Sequence, residues 1–112
     1  FQTKAKIPQA GIAFLGDTKG KEELINRFLS EYDKSLSWYK QNPKEAASLV
    51  VKTLPMLEEQ GLADSIEHVT FESVKANEAM EDLEFFFSIL QNSDAKLIGG
   101  KLPKKELYYK SN

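Results

Sequence analysis

The last third of the chain, Ala76 to Tyr109, limits most sharply what this sequence can fold into. Its first half runs Ala-Asn-Glu-Ala-Met-Glu-Asp-Leu-Glu-Phe-Phe-Phe-Ser-Ile-Leu. Ala79, Met80, Leu83, Phe86, Phe87 and Leu90 recur at three- and four-residue steps, the spacing of one helix face. Phe85 and Ile89 fall outside that face, so the second half of the helix is apolar on more than one side. Such a helix needs cover from two neighbours, and the rest of the chain supplies only part of it. Glu78, Glu81 and Asp82 lie toward its N-terminus, where acidic charge suits the helix dipole. Asn92-Ser93-Asp94 ends it, and Gly99-Gly100 predicts a turn that needs unusual φ angles.

A chain of 112 residues is enough for one domain with a core of ordinary size. Hydrophobic residues at 41% and charged residues at 29% describe a globular protein rather than a disordered one. The net charge is −2 with both signs interspersed, so no nucleic-acid partner is expected. No apolar run reaches the roughly 18–20 residues of a membrane span. The absence of cysteine removes disulfides, thiolate metal sites and cysteine nucleophiles. The start, Phe-Gln-Thr-Lys, has no initiator Met and no signal peptide, and reads as that of a processed or excised segment.

Residues 7–16 predict one short N-terminal strand. Ile12, Phe14 and Leu15 form its apolar run, Gly16-Asp17-Thr18 closes it, and Pro8 confines it to a strand start or an edge. The clearest helix spans about Lys21 to Gln41 and opens a helical hairpin over 21–54. Leu24, Ile25, Phe28, Leu29, Tyr32, Leu36 and Tyr39 cluster within about 140° on its wheel, with Trp38 at the edge. Asn42-Pro43-Lys44-Glu45 predicts an N-cap, a proline at the first helical position and a capping box. Ala46 and Ala47 would then let the second helix approach the first. Pro55 interrupts the second helix, and residues 56–71, punctuated by Gly61, predict one or two short helical turns and an extended link. The aromatic helix covers 76–91 and the tail 96–109. The fold class expected from the residues is therefore mainly α with one short strand.

No catalytic apparatus is visible, and no cofactor is expected. His68 is the sole histidine, which leaves zinc without a ligand motif and assigns His68 a surface or capping role. Glu58-Glu59 and Glu81-Asp82 are adjacent in sequence, do not face each other on a helix, and read as solvated faces. No Gly-x-Ser-x-Gly or phosphate loop is present. Gly99-Gly100-Lys101 has two readings: an anion site built from backbone N–H groups, or a turn that lets the tail pack across the helices. The turn is favoured. Tyr108, Tyr109 and Trp38 could stack on a ligand but read first as packing elements.

Three stretches, in this order, resemble the C-terminal part of solute-binding proteins of bacterial ABC importers, of the nitrate/sulfonate/taurine and thiamine-precursor type. They are Phe28 to Ala47, in which an amphipathic helix runs into Asn-Pro-Lys-Glu-Ala-Ala; Ala79 to Phe87; and Ile98-Gly-Gly-Lys-Leu-Pro with Tyr108-Tyr109 behind it. The first is weak alone, because helical hairpins converge easily; the third is the most specific. The resemblance covers about Ile7 to Tyr109.

It implies the C-terminal portion of a two-lobed α/β fold resembling the periplasmic binding proteins, with residues 7–16 as a crossover strand between lobes that are mostly absent. It also implies an exported, often lipid-anchored, non-enzymatic protein that hands a small molecule to an ABC permease. An enzyme that shares the fold, as pyrimidine-precursor synthases do, is a third class and would need its nucleophilic or metal residues upstream. Ligands of such proteins sit where strands cross between lobes, which makes Gln9, Ala10 and Gly11 the candidate ligand-binding residues. The competing expectation is a free-standing helical protein-interaction module. Helix stripes meant for a missing sheet would be exposed at roughly 25 cal/mol per Å², so the chain alone is expected to self-associate.

Overall fold

A computed structural model describes residues 8–110. Among them the fold is mainly helical, with four α-helices and no strand. They divide into two compact units: Gly20–Ser73, and residues 8–19 with 74–110.

The first unit holds α1 (Glu22–Gln41), α2 (Pro43–Thr53) and α3 (Glu59–His68). Its most extensive packing joins α2 to α3, while α1 touches both more lightly. Ile25 of α1, Ala46 and Ala47 of α2, and Ala63 and Ile66 of α3 are buried at the centre. Ala46 and Ala47, expected to bring α2 against α1, thus belong to a helix whose main neighbour is α3. The core is thin in apolar volume, because three of its five members are alanines.

The stripe of α1 is split along its length. Ile25 is buried and Leu29, Leu36 and Tyr39 are half-buried, whereas Leu24, Phe28 and Tyr32 remain 66%, 48% and 43% exposed. Phe28 and Tyr32 stack with ring centroids 6.5 Å apart, so each shields part of the other. Trp38 lies at the exposed edge, as its position on the wheel predicts.

Asn42 joins α1 to α2 differently from the expected capping box. Its Nδ2 donates to the Trp38 carbonyl at 2.9 Å, as does its own backbone N–H, so the side chain closes the end of α1. No side-chain cap bond forms at the start of α2, where Pro43 already removes one unpaired donor. The third helix also corrects an expectation: instead of one or two turns, Glu59–His68 is a continuous ten-residue helix. The cap that starts it is Glu58, whose carboxylate accepts from the backbone N–H groups of Gln60 and Gly61. A Cβ on Gly61 would meet Glu58 Oε2 at 2.9 Å, so the glycine makes room for the cap rather than ending the helix. Beyond α3, the Tyr39 and Phe71 rings meet edge-on at 5.8 Å, and Lys40 Nζ donates to the Phe71 carbonyl at 3.0 Å. These contacts tie the link after α3 to the C-terminal end of α1.

The second unit is built on α4 (Ala76–Ser93). None of its residues is buried. Ala79, Met80, Leu83, Phe86, Phe87, Leu90 and Ile89 are half-buried, and Phe85 is 42% exposed. Asp94 ends α4 and starts a 3-10 turn at Ala95–Ile98, accepting from the Lys96 N–H through its side chain. That turn packs back on α4, and Gln91 Nε2 donates to the Gly100 carbonyl. A second 3-10 turn, Lys105–Leu107, leads into Tyr108, the buried residue of this unit.

The expected N-terminal strand is not seen. Ile7 lies outside the described residues; residues 8–16 have no regular structure, with Ile12 exposed and Leu15 91% exposed. A strand gains its stability from a ladder, and no partner strand exists among the described residues. The segment is held instead through Phe14, whose ring lies 6.2 Å from that of Tyr109.

The cap on α3 gives the first testable outcome. Replacing Glu58 by alanine frees two backbone donors in the first turn, and is expected to cost about 1 kcal/mol in a urea titration. An unchanged midpoint would show that the cap contributes nothing.

Candidate functional site

Gln9, Ala10 and Gly11 are all exposed on irregular backbone. A side chain built on Gly11 would meet nothing within 4 Å, so no neighbouring group crowds its backbone. None of the three lines the shallow, open depression found on α1, which Ser30, Asp33, Lys34, Ser37, Trp38 and Gln41 form. That depression lies on the polar side of the helix and lacks the enclosing apolar walls of a small-molecule pocket.

His68, Glu58 and Asp64 have local structural partners. His68 Nδ1 donates to the Asp64 carbonyl at 2.7 Å, one turn back, so the imidazole serves the end of its own helix. Glu58 and Glu59 are both exposed, and Glu58 also caps α3. Gln60 Nε2 reaches Asp64 Oδ1 at 2.9 Å, an i, i+4 pair on one side of α3. Among the described residues no group of three or more His, Cys, Asp or Glu is gathered to hold a metal ion. No helix among them is long and apolar enough to cross a membrane.

The geometry decides between the two readings of Gly99-Gly100. Both glycines take positive φ, 76° and 98°. The Gly100 N–H donates to the Ala95 carbonyl at 2.7 Å and the Gly99 N–H to the Lys96 carbonyl at 3.2 Å. This is the crossed pair of bonds that closes a helical turn with a left-handed residue. The N–H groups an anion would need already have acceptors within the chain, so the stretch is a reversal that sends the tail back along α4.

Tyr108 is the tail's anchor. It is only 6% exposed, and among the described residues its covered hydroxyl has no hydrogen-bond partner. Burial raises its pKa above the ordinary 10.0, and the nearby Glu84 carboxylate raises it further. Its partner in the sequence, Tyr109, is half-buried against Phe14. The signal for an anchor was present in the sequence as a tyrosine pair after a reversal, but the pair does not say which ring is buried.

Two variants test the anchor. Tyr108→Phe removes a covered hydroxyl without a partner and is expected to hold or raise stability, by up to about 1 kcal/mol. Tyr108→Ala is expected to lose about 3 kcal/mol. The raised pKa also sets a pH dependence. The unfolded chain releases this proton near pH 10.0 while the folded chain keeps it, so the contribution is intact below that pH and falls as pH rises above it. Alkaline unfolding followed by circular dichroism should therefore be shallower for Tyr108→Phe than for the parent; matching curves would refute the assignment. Comparison with protein-family models, curated proteins and solved structures gave no match.

Proposed function

We propose that the chain is the C-terminal segment of an extracytoplasmic solute-binding protein that delivers a small molecule to an ABC importer. Its own task would be to pack helices on the two α/β lobes rather than to perform catalysis. The observation that carries this reading is the incomplete cover of apolar helix faces in each unit. No residue of α4 is buried despite its apolar stripe, and Leu24, Phe28 and Tyr32 leave one edge of α1 open. Faces of that kind suit helices that lie against a sheet. The order of the three resembling stretches, from Phe28 to Tyr109, supports this choice of family.

In the intact protein the partners would be the remaining lobes, the small-molecule ligand and the membrane permease, and closure of the lobes would trap the ligand. Gln9, Ala10 and Gly11 would then gain their cleft from chain outside this segment. Alone, the same open faces would drive self-association.

A second reading, a free-standing helical module that holds a protein partner, is favoured by the exposed Leu24, Phe28, Tyr32 and Trp38 on α1. The upstream coding sequence separates the two. Strand-rich α/β sequence with an export signal belongs to the first reading, and a start codon near Phe1 belongs to the second.

The functional test is ligand-dependent stabilisation of the intact protein against a panel of inorganic anions, sulfonates and pyrimidines. One class at about a hundredfold excess over its Kd should stabilise the fold by about 2.7 kcal/mol and raise Tm by several degrees. A Tm unmoved across the panel would count against solute binding.

A further inference from the structure

The net charge of −2 hides a sharp division along the chain. Residues 1–94 carry ten basic and sixteen acidic side chains, whereas residues 95–110 carry five lysines and one glutamate. Lys96, Lys101, Lys104, Lys105 and Lys110 are all exposed. Among the described residues none of them is in an ion pair within 4 Å, although α4 of the same unit carries Glu78, Glu81, Asp82 and Glu84.

The apolar residues of the tail follow a five-residue spacing that explains the arrangement. Ile98 and Pro103 are half-buried and Tyr108 is buried. The residue before each is a leucine left outside: Leu97 is 60% exposed, Leu102 39% and Leu107 64%. Lysine directly precedes the first two leucines, and Lys104 and Lys105 stand just ahead of the third. The three covered residues alternate along the tail with exposed lysines and with leucines that stay partly or largely exposed, and this exposed Lys/Leu stretch forms a strip of chain from Lys96 to Lys110.

We propose that this strip, Lys96 to Lys110, adheres to an anionic lipid surface. Flexible lysine stems suit headgroup phosphates that can move to meet them, and isolated leucines can enter the boundary between headgroups and acyl chains without a complementary groove. A protein interface would favour aromatic and arginine anchors in its centre, where lysine is depleted; this tail has no arginine, and Tyr108 is already covered. The carboxylates of α4 oppose the attraction, so adhesion requires anionic lipid and weakens with salt. The proposal rests on the tail's charge and exposure and stands or falls separately from solute binding.

The test uses the 112-residue chain and sedimentation with vesicles of phosphatidylcholine alone or with roughly 40% phosphatidylglycerol, at about 50 and about 300 mM salt. Binding is expected to the anionic vesicles at low salt, to fall at high salt, and to be absent from neutral vesicles. Each lysine near an anionic surface is worth about fivefold in partition, so the combined Lys101→Gln, Lys104→Gln and Lys105→Gln variant should bind roughly a hundredfold more weakly. The matching arginine variant should retain binding, which separates loss of charge from loss of fold. Leu97→Ser with Leu107→Ser should lower vesicle binding several-fold. Equal binding to neutral vesicles, no binding to anionic vesicles at low salt, or full binding by the glutamine variant would overturn the proposal. So would equal affinity for a soluble polyanion or inorganic phosphate with no effect of the leucine changes, since that pattern describes an anion site on a protein or nucleic-acid ligand.

Discussion

A helix that is apolar on more than one side has to be covered on more than one side, and α4 is the element on which this constraint falls. Its stripe runs from Ala79 to Leu90, and Phe85 and Ile89 widen it. The cover within its unit comes from the reversal at Gly99-Gly100, which returns the tail toward the helix, and from Tyr108 at the end of that path. The result is partial: every residue of the stripe stays half-exposed. In α1 the same shortage takes another form, with one edge buried around Ile25 and the other left to Leu24, Phe28 and Tyr32.

The best-closed contact is the pairing of α2 with α3, where alanines on both helices permit close approach. It is closed because it needs little. Small side chains leave little apolar area to cover, and they contribute correspondingly little burial energy. The larger residues that could contribute more lie on α1 and α4, where cover is missing. Burial is thus concentrated in a small centre, while most of the larger apolar side chains of α1 and α4 stay partly exposed.

The main helices were legible in the sequence because their apolar spacing is long and regular. The stripe of α1 and the acidic start of α4 gave their type and extent within a few residues. Three features escaped for physical reasons. Gly61 looked like a breaker, but it provides room for Glu58 to cap α3. Asn42 had the type and position of a start cap, yet its side chain serves the helix before it. The run at Ile12 to Leu15 had strand composition, but strand structure depends on a partner that composition does not supply. At the site level, the whole-chain charge concealed the lysine-rich tail, and the five-residue spacing of Leu97, Leu102 and Leu107 belongs to neither a helix nor a strand. The candidate residues Gln9, Ala10 and Gly11 came from resemblance alone, and all three are exposed on irregular backbone.

Amide hydrogen exchange on the 112-residue chain tests most directly whether the helices lack their cover. The account predicts the strongest protection in α2 and α3, around Ala46, Ala47, Ala63 and Ile66, and markedly weaker protection along α4. Under the proposed function, the same α4 amides should become protected in a longer protein that lays a sheet against them. Protection of α4 equal to that of α2 and α3 in the chain alone would contradict the claim that its apolar face is incomplete.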